Sequence, residues 1–322
     1  MPNSMITDDP LKLKRFGLLL GSAPIMETLY RQIDKVAGTD ATVLLVGESG
    51  TGKELVAQTI HQKSRRCRHP FITVNCGAIP PQLIEAALFG HEKGSFTGAQ
   101  RQHIGYFEQA ADGTLFLDEV TEMPLNMQVR LLRVLECSRF MRVGGEREVC
   151  VNFRLLAATN RDLAAAVEHG KLREDLMYRL AVFPLRVPPL RERGEDIVLL
   201  ARHFLELLND KENSSKEFSP ASLELARKYA WPGNVRELKN MVQRAFILAG
   251  DTLNLEECLS EPATHGTGLR SGCLNFPAGM PLASAQREII LATLKHFGGD
   301  KRQTANTLGI SLKTLYNRLK EY

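Results

Sequence analysis

The segment from Val43 to Glu54 constrains the fold of this chain more than any other. It reads VLLVGESGTGKE, so an apolar run enters a glycine-rich turn that opens onto a predicted helix. Glycines allow positive φ angles and close approach to a ligand. The free N–H groups at a helix start favour an anion. The spacing G-x-x-x-x-G-K is complete in Gly47, Gly52 and Lys53 and predicts a phosphate-binding loop.

We expect this loop to surround the phosphate groups of ATP, with Lys53 reaching the outer phosphates as a point charge. Glu54 stands where such loops usually carry a Ser or Thr that binds Mg²⁺, so the metal must be held mainly from elsewhere. A plain glycine turn is the alternative, and a second motif downstream argues against it. The predicted ATP-binding residues of the loop are Gly47, Glu48, Ser49, Gly50, Thr51, Gly52, Lys53 and Glu54.

That second motif is TLFLDE, from Thr114 to Glu119, a predicted buried strand that ends in two adjacent carboxylates. Asp118 would hold Mg²⁺, directly or through water, since this ion prefers oxygen ligands. Glu119 would orient and deprotonate the water that attacks the terminal phosphate. A solvated acidic turn is the alternative, and the phosphate loop upstream disfavours it.

The composition is that of an ordinary globular protein. Of 322 residues, 43% are hydrophobic and 24% charged, and the length suggests two or three domains. No apolar stretch is long enough to span a membrane and the N-terminus lacks a signal-peptide pattern, so we expect no membrane partner and a cytoplasmic location. The six cysteines form no C-x-x-C pair and indicate reduced thiols rather than a zinc site or disulfides.

Apolar segments alternate with helical ones in the first part of the chain. This pattern predicts an α/β fold with a parallel sheet covered by helices on both faces and a ligand site at the carboxyl ends of its strands. The predicted strands are Ala41–Val46, Phe71–Val74, Thr114–Leu117, Val151–Ala158 and Val182–Leu185. After Pro188-Pro189, helical apolar spacing predicts a small lid made of Glu195–Asn209, Pro220–Tyr229 and Asn234–Leu248.

The C-terminal segment predicts a DNA-binding unit. Its helices are predicted near Leu282–Phe297, Lys301–Leu308 and Leu312–Glu321, with Gly309 in the last turn and Ser311 as a cap, which is a helix-turn-helix pattern. The last 41 residues hold seven Lys or Arg against three Asp or Glu, so the whole net charge of +4 lies there. A plain helical hairpin is the alternative. The predicted organisation is a tail (1–17), an α/β subdomain (18–187), a lid (188–257), a linker (258–281) and an all-α helix-turn-helix domain (282–322).

Between the two phosphate-site motifs lies an unusual stretch, FGHEKGSFTGA, from Phe89 to Ala99. Gly94 and Gly98 would let Phe96 and Thr97 project on a mobile, hairpin-like loop. An aromatic ring displayed in solvent usually has a partner. The residues alone leave equally open that Phe96 folds into its own core.

This stretch resembles the signature GAFTGA of the bacterial enhancer-binding activators of sigma-54 RNA polymerase, a branch of the AAA+ ATPases. The resemblance extends over nearly everything from Leu20 to Tyr322 and implies an AAA+ P-loop NTPase with a helical lid and a Fis-type helix-turn-helix. Ser95 replaces the family's alanine, a small residue for a small one. The implied sigma-54 contact loop is Gly94, Ser95, Phe96, Thr97, Gly98 and Ala99.

The resemblance also implies roles for residues outside these motifs. Asn75 would restrain the catalytic glutamate, Thr159 and Asn160 would form a first sensor of the γ-phosphate, and Arg236 a second sensor on the lid. Arg173 and Arg179 match arginine fingers that enter a neighbouring subunit's site. The active form would then be a homo-hexameric ring, with a dimer possible at rest. Without the resemblance, a solvated helix charge would explain each arginine better.

Three further expectations rest on the same resemblance. Glu92 would couple the loop to the nucleotide state, and Arg142–Gly145 falls where the family has a second surface loop. Family members usually carry a regulatory domain before the ATPase, whereas only about twenty residues precede it here, too few for a sensing fold. We therefore expect a separate regulatory protein or a shortened form of a longer chain. Candidate DNA contacts are Lys313, Thr314, Asn317, Arg318 and Lys320.

The predicted function is that of a transcription activator. It would bind enhancer DNA and use ATP and Mg²⁺ to remodel the closed complex of sigma-54 RNA polymerase holoenzyme into an open one. One alternative is another AAA+ remodeller, such as a DNA-replication loader, against which the Phe-Thr loop argues. The other is an ATP-gated DNA-binding switch without turnover, against which Asp118, Glu119 and the two arginines argue.

Overall fold

The computed structural model describes residues 14–95, 99, 101–260 and 281–321. Contacts divide the chain into two compact units, residues 1–261 and 262–322. No helix within the described ranges is long and apolar enough to cross a membrane.

The first unit contains a five-stranded, all-parallel sheet in the order β4-β5-β8-β3-β9. The strands are β1 (Arg15–Phe16), β2 (Leu19–Leu20), β3 (Val43–Val46), β4 (Phe71–Asn75), β5 (Thr114–Asp118), β6 (Arg139–Met141), β7 (Glu148–Cys150), β8 (Arg154–Thr159), β9 (Phe183–Arg186), β10 (Glu217–Phe218) and β11 (Thr252–Leu253). The helices are α1 (Pro24–Ala37), α2 (Lys53–Gln62), α3 (Ile84–Phe89), α4 (Tyr106–Gln109), α5 (Leu125–Cys137), α6 (Leu163–Glu168), α7 (Glu174–Leu180), α8 (Asp196–Glu212), α9 (Pro220–Lys228), α10 (Asn234–Leu248) and α11 (Leu255–Ser260).

Both faces of the sheet are buried because successive strand residues alternate between two cores. In β3, Leu44 packs with α3, α5 and α7, whereas Val43 and Leu45 pack with α1 and α2. In β5, Leu115 belongs to the first core and Phe116 to the second. This arrangement confirms the predicted parallel sheet with helices on both faces.

Three predicted strands begin at the wrong residue: β3 starts at Val43 rather than Ala41, β9 at Phe183 rather than Val182, and the largest error is at β8. The apolar run suggested a strand from Val151, but β8 starts at Arg154. The preceding residues form β7, which pairs antiparallel with β6. The Val151 N–H donates to Ser138 O at the base of that hairpin. The hydrogen bonds of this stretch are therefore made outside the main sheet, which periodicity could not reveal.

The lid is an α-helical layer around a buried Trp231, whose indole N–H donates to Ala226 O. Helices α8, α9 and α10 follow the predicted positions closely. A short parallel pair, β10 with β11, and helix α11 complete it. Helix α11 continues past residue 257, where the linker was predicted to begin, and Cys258 is buried in the lid core.

The second unit consists of α12 (Leu282–His296), α13 (Lys301–Thr307) and α14 (Leu312–Glu321). Ile290, Ala305 and Leu315 form its small buried core. Gly309 has φ +65° in the turn between α13 and α14. Ser311 caps α14 as predicted, because its Oγ accepts the Thr314 N–H at 3.0 Å. The predicted helix-turn-helix pattern is therefore present.

Candidate nucleotide-binding site

The glycine turn lies where β3 ends and α2 begins, at the carboxyl edge of the sheet. Gly50 and Gly52 have φ angles of +78° and +95°, which favour glycine. A side chain at Gly50 would also collide with Gly233 O of the lid. The sequence thus folds into a tight loop whose N–H groups at the start of α2 can bind phosphate.

Lys53 is held inside this loop. Its ammonium donates to Gly47 O at 2.8 Å and to Glu48 O at 3.0 Å, and the residue is only 9% exposed. Burial lowers the pKa of Lys53, and the nearby carboxylates of Asp118 and Glu119 oppose that shift. A polyphosphate entering the loop would supply oxygen acceptors for this cation.

Asp118 ends β5, which lies between β4 and β8, and Glu119 follows directly after it. The Glu119 N–H donates to Asp118 Oδ1 at 2.9 Å. Glu119 has φ +53° and ψ +45°, a left-handed conformation that is uncommon for a residue with a side chain. Such backbone strain costs about 1–3 kcal/mol and tends to occur at functional sites.

Asn75 lies beside this pair, since it ends β4 in register with Asp118. Its Oδ1 accepts the N–H groups of Gly77 and Ala78 at 2.9 and 3.0 Å. The carboxylate of Glu119 lies against Gly77. The amide oxygen of Asn75 therefore organises the turn on which the glutamate rests, and the predicted restraint of Glu119 by Asn75 stays a prediction.

The two residues of the predicted first sensor lie in different environments. Thr159 ends β8 fully buried, and its hydroxyl shares a hydrogen bond with Thr121 and accepts the Arg161 N–H. Asn160 is exposed and faces the cavity beside the phosphate loop. Of the pair, Asn160 is the residue positioned to contact a ligand.

These residues meet around one open cavity of about 410 Å³. The lining residues are Ser49, Gly50, Gly52, Lys53, Glu54, Leu55, Asn75, Asp118, Glu119, Asn160, Val235, Arg236 and Lys239. Leu55, Val235 and Lys239 were not predicted from the sequence. A mostly apolar cavity shares Gly52, Leu55 and Val235 with the first and is also lined by Met26 and Phe204, which suits the flat apolar face of a nucleobase.

The oxygen-rich edge of the cavity fits Mg²⁺. Asp118 and Glu54 both contribute carboxylates there, and oxygen is the donor this ion prefers. Among the residues that the structure describes, no group of three or more His, Cys, Asp or Glu could hold a metal alone. A magnesium ion here would depend on the nucleotide's phosphates, as is usual for this ion.

Arg173 and Arg179 do not line this cavity in the described part of the chain. Both lie at helix α7. The guanidinium of Arg173 makes two hydrogen bonds to Asp175, at 3.0 and 2.6 Å, and that of Arg179 donates to Leu135 O at 2.7 Å. Both side chains are exposed. Their predicted role in a neighbour's site stays a prediction.

Part of the predicted sigma-54 loop can be placed. Phe96, Thr97 and Gly98 lie outside the described residues. At its base the Gly94 N–H donates to Ala99 O at 2.8 Å, and Ser95 lies against Gly144 of the β6–β7 hairpin. These contacts hold the two ends of the loop together, and we call this base, Glu92, Gly94, Ser95 and Ala99, the neck of the loop.

The neck is joined to the hairpin by Arg142. Its guanidinium donates to Glu92 at 2.8 Å and to both oxygens of Glu108, and the Glu92 N–H donates to Val143 O. These hydrogen bonds, first from Glu108 and then from Glu92, raise the pKa of Arg142. Arg142–Gly145 is therefore the tip of a hairpin in contact with the base of the loop, and its role as a second surface loop stays a prediction.

In the second unit the candidate DNA contacts lie on α14. Lys313, Thr314 and Asn317 are exposed, whereas Arg318 is half-buried. The Thr314 hydroxyl shares a hydrogen bond with Ser311 within the cap. The side chain of Lys320 lies outside the described part. Tyr316 is 45% exposed and its ring lies under the Lys301 ammonium, 4.7 Å from the ring centre.

Sequence reasoning counted Glu48 and Ser49 among the ATP-binding residues, but it missed the polar contacts that join the phosphate loop to the lid. Glu48 pairs with Arg191, and the buried Asn234 contacts both Glu48 and Ser49. One signal was present: Asn234 follows a glycine at a helix start, and asparagine tolerates left-handed backbone. Its burial and its partners depend on residues about 185 positions away, which no local pattern encodes.

A phosphate loop, an acidic strand end and a helical lid around one cavity define an AAA+ P-loop ATPase. Comparison with known proteins extends this assignment. The family described as "Sigma-54 interaction domain" matches residues 19–186, "AAA+ ATPase lid domain" matches 191–266, and "Bacterial regulatory protein, Fis family" matches 281–322. The chain therefore belongs to the sigma-54-interacting AAA+ transcription regulators that carry a Fis-type DNA-binding domain.

Individual relatives agree with this assignment. The regulatory protein AtoC from Escherichia coli is 43% identical over 314 residues, covering 96% of this chain and 68% of AtoC. The transcriptional regulatory protein FlbD from Caulobacter vibrioides is 44% identical, covering 93% of this chain and 69% of FlbD. The crystal structure of NtrX from Brucella abortus in complex with ATP has a TM-score of 0.70 and 33% identity, covering 94% of this chain and 68% of NtrX.

Proposed function

We propose that this protein hydrolyses ATP in the cavity beside Lys53 and uses the energy to remodel sigma-54 RNA polymerase at promoters. The observation that carries the proposal is that the phosphate loop, Asp118, Glu119 and the lid residue Arg236 converge on one cavity. The second unit would hold the protein on enhancer DNA through α14.

The residues of the cavity divide the chemistry among themselves. Lys53 and the loop N–H groups bind the phosphates. Glu119 accepts a proton from the attacking water, and Asn160 contacts the terminal phosphate. Asp118 would hold Mg²⁺, directly or through water, and the ion would supply positive charge against the phosphate oxygens.

The positive charge still lacking at the terminal phosphate would come from another copy of the chain. Arg173 and Arg179 are exposed and lie away from the cavity of their own chain, so each could enter a neighbour's site. Such an exchange requires a homo-oligomer, and we infer a hexameric ring. On assembly Arg173 would exchange Asp175 for a phosphate oxygen.

The contacts at the neck suggest how hydrolysis could move the sigma-54 loop. Along the chain, α4 separates the returning end of the loop from β5, which begins at Thr114 and ends at Asp118. Arg142 ties the neck to Glu108 of α4. A movement of β5 as a whole would therefore be passed through α4 and Arg142 to the base of the loop.

The first test uses the purified protein with sigma-54 and ADP–metal fluoride, which mimics the transition state. We expect a stable complex on a native gel, and loss of it in Thr97→Ala with ATP turnover retained. Thr97→Ser, which keeps the hydroxyl, is the matched control. No complex from a protein that hydrolyses ATP would favour another AAA+ remodeller with a different target.

A second test addresses the catalytic base. Glu119→Gln should still bind ATP but lower the steady-state rate of phosphate release by about 10²–10⁴-fold, since it removes the proton acceptor. Glu122→Gln, in the same turn, is the control. Undiminished turnover in Glu119→Gln would remove this residue from the base role, and no turnover in the wild-type protein would favour the ATP-gated switch.

A further inference from the structure

Glu48 is the one acidic side chain within the phosphate loop itself before Lys53. Its two oxygens accept the two terminal nitrogens of Arg191 at 2.5 and 2.8 Å. Arg191 lies in the 3₁₀ turn Leu190–Glu192 that precedes the lid helices. One Glu48 oxygen also accepts the Asn234 amide at 3.1 Å.

Asn234 occupies an unusual position at the start of α10. It is fully buried and has φ +53°, which asparagine tolerates better than most residues. Its Nδ2 donates to Ser49 O at 3.0 Å, and its Oδ1 accepts the Leu190 N–H at 2.8 Å. The buried amide therefore holds the phosphate loop, the Leu190–Glu192 turn and the start of α10 in fixed positions relative to one another.

The lid therefore contacts the outer side of the phosphate loop through several polar groups. Besides Asn234 and Arg191, the Arg236 N–H donates to Gly50 O at 3.3 Å and its guanidinium to Ser49 Oγ at 3.1 Å. Carbonyl groups and the Glu48 carboxylate face the lid. The N–H groups at the start of α2 are available for phosphate.

Glu48 alone would oppose nucleotide binding, because a carboxylate carried by the loop repels a polyphosphate. Hydrogen bonds from Arg191, and then from Asn234, lower the pKa of Glu48 to about 2, so the carboxylate is ionised at neutral pH. The bidentate geometry places the compensating charge directly on it. Both side chains are partly exposed, at 46% for Arg191 and 41% for Glu48, so the pair can open.

We propose that Glu48, Arg191 and Asn234 are positioning residues that make nucleotide affinity depend on the orientation of the lid. With the lid against the loop, Arg191 neutralises Glu48 and Asn234 fixes the loop carbonyls, so the loop accepts phosphate. When the lid moves away, the uncovered carboxylate repels phosphate and promotes release of ADP. The inference rests on the proposed function only in taking ATP and ADP as the ligands of the cavity.

The test measures the affinity of a fluorescent ADP for single and double variants. Arg191→Gln should weaken ADP binding about tenfold, since it leaves the Glu48 charge without its partner on the loop that binds the phosphates. Adding Glu48→Gln to that variant should restore most of the loss, because the repulsion is then gone. The KM for ATP should follow the same pattern, with kcat changed less than about twofold.

One control variant and one further test variant complete the experiment. Arg227→Gln removes a lid arginine whose ion pairs are with Glu195 and Glu224, and it should leave ADP affinity unchanged. Asn234→Gly keeps the positive φ while removing the amide, and it should weaken ADP binding in a folded protein.

The results that would overturn the inference are specific. ADP affinity in Arg191→Gln equal to wild type would show that the pair does not control binding. A double variant weaker than the single one would show a merely structural role. Failure of the wild-type protein to bind ADP at all would instead reject the proposed function.

Discussion

Two arginines of one short segment, Arg191 and Arg193, link the lid to the nucleotide-binding half in opposite ways. Arg191 is partly exposed and pairs with a carboxylate of the phosphate loop. Arg193 is 4% exposed and donates to the backbone carbonyls Thr51 O and Pro188 O at 3.0–3.3 Å. Burial lowers the pKa of Arg193, whereas the pair with Glu48 raises that of Arg191.

The buried link continues into Asp196, which begins α8. Its carboxylate accepts the Ser22 N–H at 2.6 Å and the Ala23 N–H at 3.1 Å, and these residues lead into α1. A buried charge that loses its partners is costly, so this link must stay closed in the folded protein. The exposed link can open at little cost. The buried link through Arg193 and Asp196 is therefore a permanent junction, whereas the exposed link between Arg191 and Glu48 can open and close.

The largest expected effect is on the buried link. Asp196→Ala should lower the free energy of unfolding by about 2–3 kcal/mol, because the N–H groups of Ser22 and Ala23 lose a charged acceptor and the buried Arg193 loses a nearby negative charge. Chemical denaturation measures this loss. Asp196→Asn keeps an acceptor oxygen, so its free energy of unfolding should fall less than that of Asp196→Ala. Equal stability of Asp196→Ala and wild type would remove the distinction between the two links.

A smaller effect is expected at the exposed link. Arg191→Gln should lower the free energy of unfolding much less than Asp196→Ala does, since an exposed ion pair contributes little to stability. The same denaturation experiment applies. If Arg191→Gln were as unstable as Asp196→Ala, Arg191 would be part of the permanent junction and its effect on ADP affinity would be secondary.

The smallest expected effect is a difference in pH dependence. The pKa of Glu48 is lowered from 4.5 to about 2, so its contribution to stability is present above pH 4.5 and is lost as the pH falls toward 2. Burial raises the pKa of Asp196 above 3.8, so its contribution is present below that pH and is lost as the pH rises through the folded value.

The two links should therefore show opposite slopes. Subtracting the unfolding free energies of Glu48→Gln and of Asp196→Asn from that of the wild type, across the acid range, isolates each contribution. The Glu48 difference should shrink on acidification, and the Asp196 difference should shift in favour of the wild type. Parallel slopes would show that the two carboxylates have similar surroundings.

Much of the fold followed from local patterns. The bounds of α2, α10 and α14 were predicted to the residue, because a glycine turn, a proline-glycine break and a serine cap mark their starts. The predicted start of β8 was wrong by three residues, from Val151 to Arg154, because a hairpin and a sheet strand share one apolar run. Periodicity describes which face is apolar, and it does not say which partner a strand takes.

The sequence by itself determined the chemistry of the phosphate site. Glycines, Lys53 and the Asp118–Glu119 pair occur at fixed local spacings, and such spacings identify residue types that only a few sites need. Asn160 and Arg236 were reached through the family resemblance, and the structure places them in the same cavity.

Only the tertiary structure decided which of two arginines is buried and which polar groups join the lid to the loop. Arg191 and Arg193 differ in no local feature of the sequence. Their environments are set by β3, α2 and α10 folding around the same point, with partners such as Thr51, Glu48 and Asn234. The burial of Arg193 and the pairing of Arg191 with Glu48 depend on residues that are distant in the sequence, so they are set only when the chain has folded.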